Sequence, residues 1–284
     1  MTTPLIPDKQ AFRMKVEKLS NLPTLPHLMI KFSKMIKDPT TSIADFGEEI
    51  GKDQTLTSKM LRLVNSAYYG FPGRISTVTQ ALVLLGFDAV KGLIVTSNVF
   101  SNITPEAFPL WRHSMLVSLA CRQIGAKLNI PDLEEIIVAG LLHDIGKVIF
   151  YMEEPDTYRL VVRKAVELEM PVWKAEQEFL GFDHATLGEW LCEKWLLPEK
   201  LKIPIAFHHR PEQAKAHQQR VAVVAFANTF IKALGAMAEP EIPLEDLPAS
   251  VTALLPLTQD DLLALANNLQ PEVEALSNMT PTDV

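Results

Sequence analysis

The sequence predicts an all-α protein, a single helical domain in two lobes, and three observations carry that prediction. Apolar residues recur at helical spacing along almost the whole chain, as in Leu28, Phe32, Met35 and Ile36, or Leu56, Met60, Leu63 and Val64. No convincing run alternates apolar and polar residues as a half-buried strand would. Prolines, glycines and capping residues fall between the periodic stretches, where helices should start and stop. With 284 residues, 48% of them hydrophobic and 21% charged, the chain can bury a core without a disulfide or metal staple, and its composition excludes general disorder.

In chain order, a first helix lies between Pro26 and Pro39. Thr41 and Ser42 can cap a second, which turns Ile43, Phe46 and Ile50 inward, and Asp53 caps a third. Asn65 and Ser66 are placed to end that helix by bonding nearby backbone, ahead of a loop at Tyr69, Gly70, Phe71, Pro72 and Gly73. Thr77 opens a helix that Gly86 should close as a left-handed cap, followed by another over 88–100. Further helices are expected over 110–127, 133–142, 155–169, 172–179, 184–195, 201–208 and 220–234. Beyond Gly235, Pro240, Pro243, Pro248 and Pro256 break the text into short acidic pieces, read as two small helices packed on the body with a loose end past Asn278. The division expected is an N-terminal lobe over 1–105, a second lobe with a His/Asp cluster over 106–235, and an appendage over 236–284.

Charge and composition narrow the function. The net charge is −7, and phosphate neutralisation needs clustered Lys and Arg, so neither nucleic acid nor a membrane surface is the expected partner. Asp8 and Lys9 interrupt the first residues, and Asn228 and Lys232 interrupt the most hydrophobic stretch, 221–238, so that stretch reads as a buried helix and the protein as cytoplasmic. Cys121 and Cys192 sit in apolar helical text and read as buried free thiols. Trp111, Trp173, Trp190 and Trp195 read as core anchors.

Of seven histidines, only His27 and His217 fall outside a suggestive set formed by His113, His143, His184, His208 and His209, with Asp144 beside His143. Imidazole and carboxylate are the ligands of divalent transition metals. Neighbouring helical positions differ by about 100° in direction, so an adjacent His-Asp pair straddles one ion only at a helix end or against another ligand-bearing helix. Gly146 supplies such an end just after Asp144. The other reading of these residues is a helix-end motif that only forms hydrogen bonds. His113 should bind metal or pair with Asp144, and His209 can line the cavity or end a helix in solvent. Lys147 can contact a phosphate or simply favour the C-terminal end of a helix dipole.

The text Ala139-Gly140-Leu141-Leu142-His143-Asp144-Ile145-Gly146-Lys147 resembles the signature of the HD superfamily. The resemblance then implies that His113 is a first metal ligand, His143 and Asp144 the HD doublet, and His184, His208 and His209 the further ligands of a binuclear branch. The last ligand of that pattern is an aspartate; here its counterpart is Asn228, a neutral amide with one weaker oxygen, read as a weak ligand or a satisfied buried amide. In the first half, Leu22-Pro23-Thr24-Leu25-Pro26, the run Ile50 to Thr57, the run Leu61 to Gly70 and the run Ile75 to Gly86 together resemble the HDOD domain, the HD-related output domain of bacterial signalling proteins, over about Leu19 to Gly235. HD-GYP phosphodiesterases are disfavoured, since Gln213 and Ala214 follow His208-His209-Arg210-Pro211-Glu212 where a Gly-Tyr-Pro loop is required.

Two readings follow from the resemblance. One is a signalling module that acts through contacts with other signalling proteins, its input arriving in trans, with a degenerate HD-type pocket for one, two or no ions of Fe, Mn, Ni or Zn. The alternative is a metal-dependent phosphohydrolase acting on a nucleotide or cyclic-dinucleotide phosphoester. In that case Asp144 and Lys147 would be the catalytic groups.

Overall fold

Side-chain caps fix where several helices begin. In the computed structural model, which describes residues 9–18, 31, 32, 34, 35, 38, 40–65, 75–100, 107–235 and 247–277, Ser42 forms a reciprocal capping box with Asp45 at the start of α2 (Ile43–Gly51). Asp53 accepts from the Leu56 amide at 2.9 Å to open α3 (Gln54–Asn65). The preceding α1 (Lys9–Glu17) lies at the N-terminus. Asn65 bonds across the chain and not locally: its amide group exchanges two hydrogen bonds with the backbone of Ile75, clipping together the ends of segment 66–74. Leu28, Ile36, Ser66, the Tyr69–Gly73 loop and the end past Asn278 lie outside the described residues.

α4 (Val78–Phe100) contains the expected break at Gly86, whose φ of 81° and ψ of 167° fall in a region only glycine adopts readily, so the break is a kink and not a left-handed cap. Its segment Val78–Ser97 is the described helix long and apolar enough to cross a membrane by length and composition, in place of 221–238; here it packs into the core. α5 (Phe108–Lys127), α6 (Leu133–Leu142) and α12 (Gln218–Ala233) form the centre. The run from Ile136 to Leu142 and the run from Arg220 to Ile231 are buried on every side, as central helices should be.

Around that centre stand α7 (Ile145–Glu153), α8 (Pro155–Glu167), α9 (Val172–Leu180), α10 (His184–Lys194) and α11 (Glu199–Phe207), with one 3-10 turn at Pro211–Gln213. α7 is a helix that the sequence reading did not anticipate. α2 and α3 reach the rest through α4, which packs on α6; α10 and α11 pair, and α11 lies against both α6 and α12. Among the described residues there is no strand, and one hydrophobic core runs from Phe12 to Leu276. Cys121 and Cys192 are free and buried, with burial pushing both thiols up.

The tail is more ordered than two small helices. α13 (Ala249–Leu254) packs on α12, but α14 (Gln259–Ser277) runs 19 residues along α5. It is tied near both ends, by Lys127 to Asp261 at 2.7 Å and by Arg112 to the Ser277 carbonyl at 2.9 Å.

Candidate metal centre

α6 ends at Leu142, His143 caps it, and Asp144 precedes the first residue of α7. A two-residue turn joins the helices there, and both side chains of the doublet are buried. α7 can lie against α10 because position 146 is glycine: a Cβ there would collide with the backbone carbonyl of His184. Asp183 caps α10 by accepting from the Thr186 amide at 2.8 Å, which places His184 in the first helical position. At the end of α11, His208 takes the cap position with His209 after it. α5 supplies His113 and α12 supplies Asn228.

All these groups converge on Asp144, which is 1% exposed. Its Oδ1 lies 3.0 Å from Nε2 of His184 and 3.7 Å from Nε2 of His208. Its Oδ2 lies 3.4 Å from Nε2 of His143, 3.9 Å from Nε2 of His113 and 3.0 Å from the Lys147 ammonium. His209 Nε2 stands 2.9 Å from His184 Nε2. Two sets of donor atoms therefore share this one carboxylate: Asp144, His184, His208 and His209 on one side, His113, His143 and Asp144 on the other.

The orientation of the rings decides what they can do. Nδ1 of His143 lies 2.7 Å from the Gly140 carbonyl, Nδ1 of His208 lies 2.8 Å from the Ile205 carbonyl, and Nδ1 of His184 lies 2.6 Å from a Glu176 carboxylate oxygen. Carbonyls and carboxylates only accept, so each Nδ1 carries the proton and donates. In the neutral ring this leaves an Nε2 lone pair directed at Asp144. Nε2 of His143 and of His208 and both Asp144 oxygens lack a well-aligned hydrogen bond, although all are buried. The Lys147 ammonium offsets part of the Asp144 charge, and a cation between this carboxylate and the Nε2 lone pairs of His143 and His208 would satisfy the rest. The donor set fits a divalent transition metal, and imidazole with carboxylate suits Fe, Mn, Ni or Zn.

Electrostatics agree with that orientation. Burial alone would raise the Asp144 carboxyl, but His143, Lys147 and His184 hold it well below the usual carboxylate range. Burial lowers His208 to about 4, against the pull of Asp144, and lowers His113 and His209 well below the ordinary imidazole value. For His184, burial is outweighed by Glu176 and Asp144, which raise it to about 9 without metal. In chelator, stability should peak near pH 7. Below about 6.5 the unfolded chain takes up protons that buried His208, His113 and His209 refuse, so stability falls toward pH 4. Above about 6.5 the folded state keeps a proton on His184 that the unfolded chain has released, so stability falls toward pH 9. Urea midpoints at pH 5, 7 and 9 check this; a midpoint that keeps rising to pH 9 contradicts it.

Several sequence expectations are revised. His113 pairs with Asn228, whose Oδ1 lies 2.8 Å from its Nε2, more closely than with Asp144. Asn228 is buried and faces the cluster as expected, but it occupies the nitrogen that His113 would offer a metal. Asn228→Asp should therefore tighten Zn²⁺ binding by roughly tenfold, since it adds a charge close to the ligands; chelator competition that gives an unchanged affinity would place residue 228 outside the ion's reach. His209 is half-buried beneath Trp173, stacked at 5.5 Å, and does not end a helix in open solvent. Lys147 lies in the first turn of α7, fully buried, so the C-terminal dipole role is excluded. Sequence reasoning missed Glu176, Tyr158 and the pair of Arg210 with the buried Asp183 at 2.8 Å. Glu176 did leave a signal: a carboxylate inside the apolar stripe Val172, Ala175 and Leu180.

Comparison with known proteins bears on the whole arrangement. The HDOD domain family matches residues 22–211, a span that includes every candidate ligand except Asn228. A curated relative, an uncharacterized protein of Treponema pallidum (strain Nichols), is 26% identical over 269 residues, which is 91% of this chain and 51% of the relative, so the chain spans about half of its length. An HDOD domain protein of unknown function from Geobacter sulfurreducens has the same fold, with a TM-score of 0.69, 24% identity, and coverage of 95% of this chain and 99% of its own. A candidate phosphohydrolase from Shewanella amazonensis SB2B superposes with a TM-score of 0.64 at 22% identity, covering 91% and 96%. A candidate signal transduction protein from Marinobacter aquaeolei VT8 does so at 0.67 and 18%, covering 91% of this chain and 57% of its own. Two thirds of the sequence, with the helical body that carries the doublet, thus follows one pattern: the chain belongs to the HDOD domain family.

Proposed function

We propose that this protein is a signalling module that works through contacts with other signalling proteins, and that its HD-type pocket is a closed metal centre which holds the helical body together. One observation carries this reading: Asp144, His113, His143, Lys147 and His184 are each at most 1% exposed, so the groups that would perform hydrolysis are shielded from solvent. A divalent cation bound there would supply Lewis acidity and would link α6, α10 and α11 through their imidazoles. Lys147 is directed at Asp144 and offsets its charge instead of reaching toward a substrate. His143 and His208 keep their Nε2 atoms toward Asp144 through bonds to the backbone. The family's role as an output domain and the neighbour named for signal transduction support the same reading.

The ligand set also favours a second reading, a metal-dependent phosphohydrolase, and the half-buried His209 under Trp173 marks where its mouth would open. The experiment that separates the two is a phosphodiesterase assay with bis-p-nitrophenyl phosphate and cyclic dinucleotides, on protein loaded with Mn²⁺ or Fe²⁺. The proposal expects bound metal and no turnover. Turnover abolished by His143→Ala and by Asp144→Ala would overturn it in favour of the hydrolase.

A further inference from the structure

Behind His184 lies a polar network with no part in the ligand set. Glu176, on α9, is fully buried, and its Oε2 accepts two hydrogen bonds from one residue: from the His184 backbone amide at 2.7 Å and from the His184 ring at Nδ1, 2.6 Å away. Its Oε1 accepts the hydroxyl of Tyr158 at 2.7 Å. Tyr158 is buried in turn, its ring stacked on Phe150 at 4.9 Å. A side chain accepting at both oxygens from buried donors is held in one rotamer, and it fixes both the backbone and the ring of the residue it faces. His143 and His208 have only a neutral carbonyl behind Nδ1, whereas His184 has a carboxylate.

We propose that Glu176 is a positioning residue for the metal centre: it holds His184 with Nδ1 protonated and Nε2 aimed at Asp144, and its charge makes that ring a stronger ligand than its carbonyl-backed neighbours. This rests on the metal-centre reading. A carboxylate behind a ligating imidazole fixes its tautomer and raises its basicity, and removing such a partner typically costs about 10–100-fold in affinity. Tyr158 keeps the carboxylate from turning away.

The test uses the full chain with Zn²⁺ alone as probe, in chelator competition, with the ring N–H proton of His184 followed by NMR. Glu176→Gln keeps the shape and one acceptor but removes the charge; it should weaken Zn²⁺ binding about tenfold and move the His184 Nδ1–H resonance upfield, with that of His143 unmoved. Tyr158→Phe, which keeps the ring on Phe150, should weaken binding a few-fold and serves if Glu176→Gln does not fold. If the wild-type protein binds no Zn²⁺, the metal-centre reading fails and the inference falls with it. If the wild type binds and both variants bind equally well, or the His184 resonance stays put, the inference alone is overturned.

Discussion

Replacing Asp144 by asparagine should strip the protein of metal and destabilise it at the same time. Both sets of donor atoms share this carboxylate, so no complete set survives its loss. Lys147 is buried and loses the charge 3.0 Å away that offsets its own. Breaking a buried pair from one side costs about 3–5 kcal/mol, because an uncompensated charge remains, whereas replacing both partners by groups of like shape is often neutral. Compared with the wild type in chelator, the double variant Asp144→Asn with Lys147→Met should therefore regain most of the stability, and it should bind no metal. Urea unfolding alongside metal analysis reads both effects. A single variant that keeps its metal, or a double variant no more stable than the single, would show that the carboxylate is not the hub described.

Among the described glycines, Gly146→Ala should be the most damaging substitution. The added methyl would meet the backbone carbonyl of His184, which cannot rotate away as a side-chain end can, so α7 and α10 must separate. Overpacking a well-filled core costs about 1–3 kcal/mol, and a clash with rigid backbone belongs at or above the upper end. The separation also moves His184 relative to Asp144, now 3.0 Å apart, so metal affinity should fall with stability. Gly51→Ala, where nothing lies within 4 Å of the new methyl, is the control and should leave both unchanged. Thermal unfolding and Zn²⁺ competition on the two variants check this; wild-type behaviour of Gly146→Ala would mean that α7 and α10 are not held this close.

Local chemistry made much of this fold legible from the sequence. Ser42, Asp53 and Gly86 act over a few residues, and each begins or breaks a helix where its chemistry requires. α7 was not legible because Gly146 reads as the end of a helix; only its packing against His184 shows that it opens a new one. The same misreading assigned Lys147 to a helix C-terminus, when it lies in the first turn of α7 and pairs with Asp144. The candidate ligands follow from residue type and motif, so the convergence of the histidines was foreseeable, but their ring orientations depend on Gly140, Ile205 and Glu176, which only the fold brings close. His113 and Asn228 are 115 positions apart, and no spacing rule could have shown that the amide meets this imidazole.

Anomalous diffraction from crystals of protein loaded in turn with Fe²⁺, Mn²⁺, Ni²⁺ and Zn²⁺ tests the metal centre most directly. The geometry predicts a peak about 2.0–2.2 Å from an Asp144 oxygen and from Nε2 of His184 and His208, stronger than any peak between His113 and Asn228. No peak with any of the four ions, or a peak only at surface residues, would contradict it and leave the cluster as a set of hydrogen-bonded side chains.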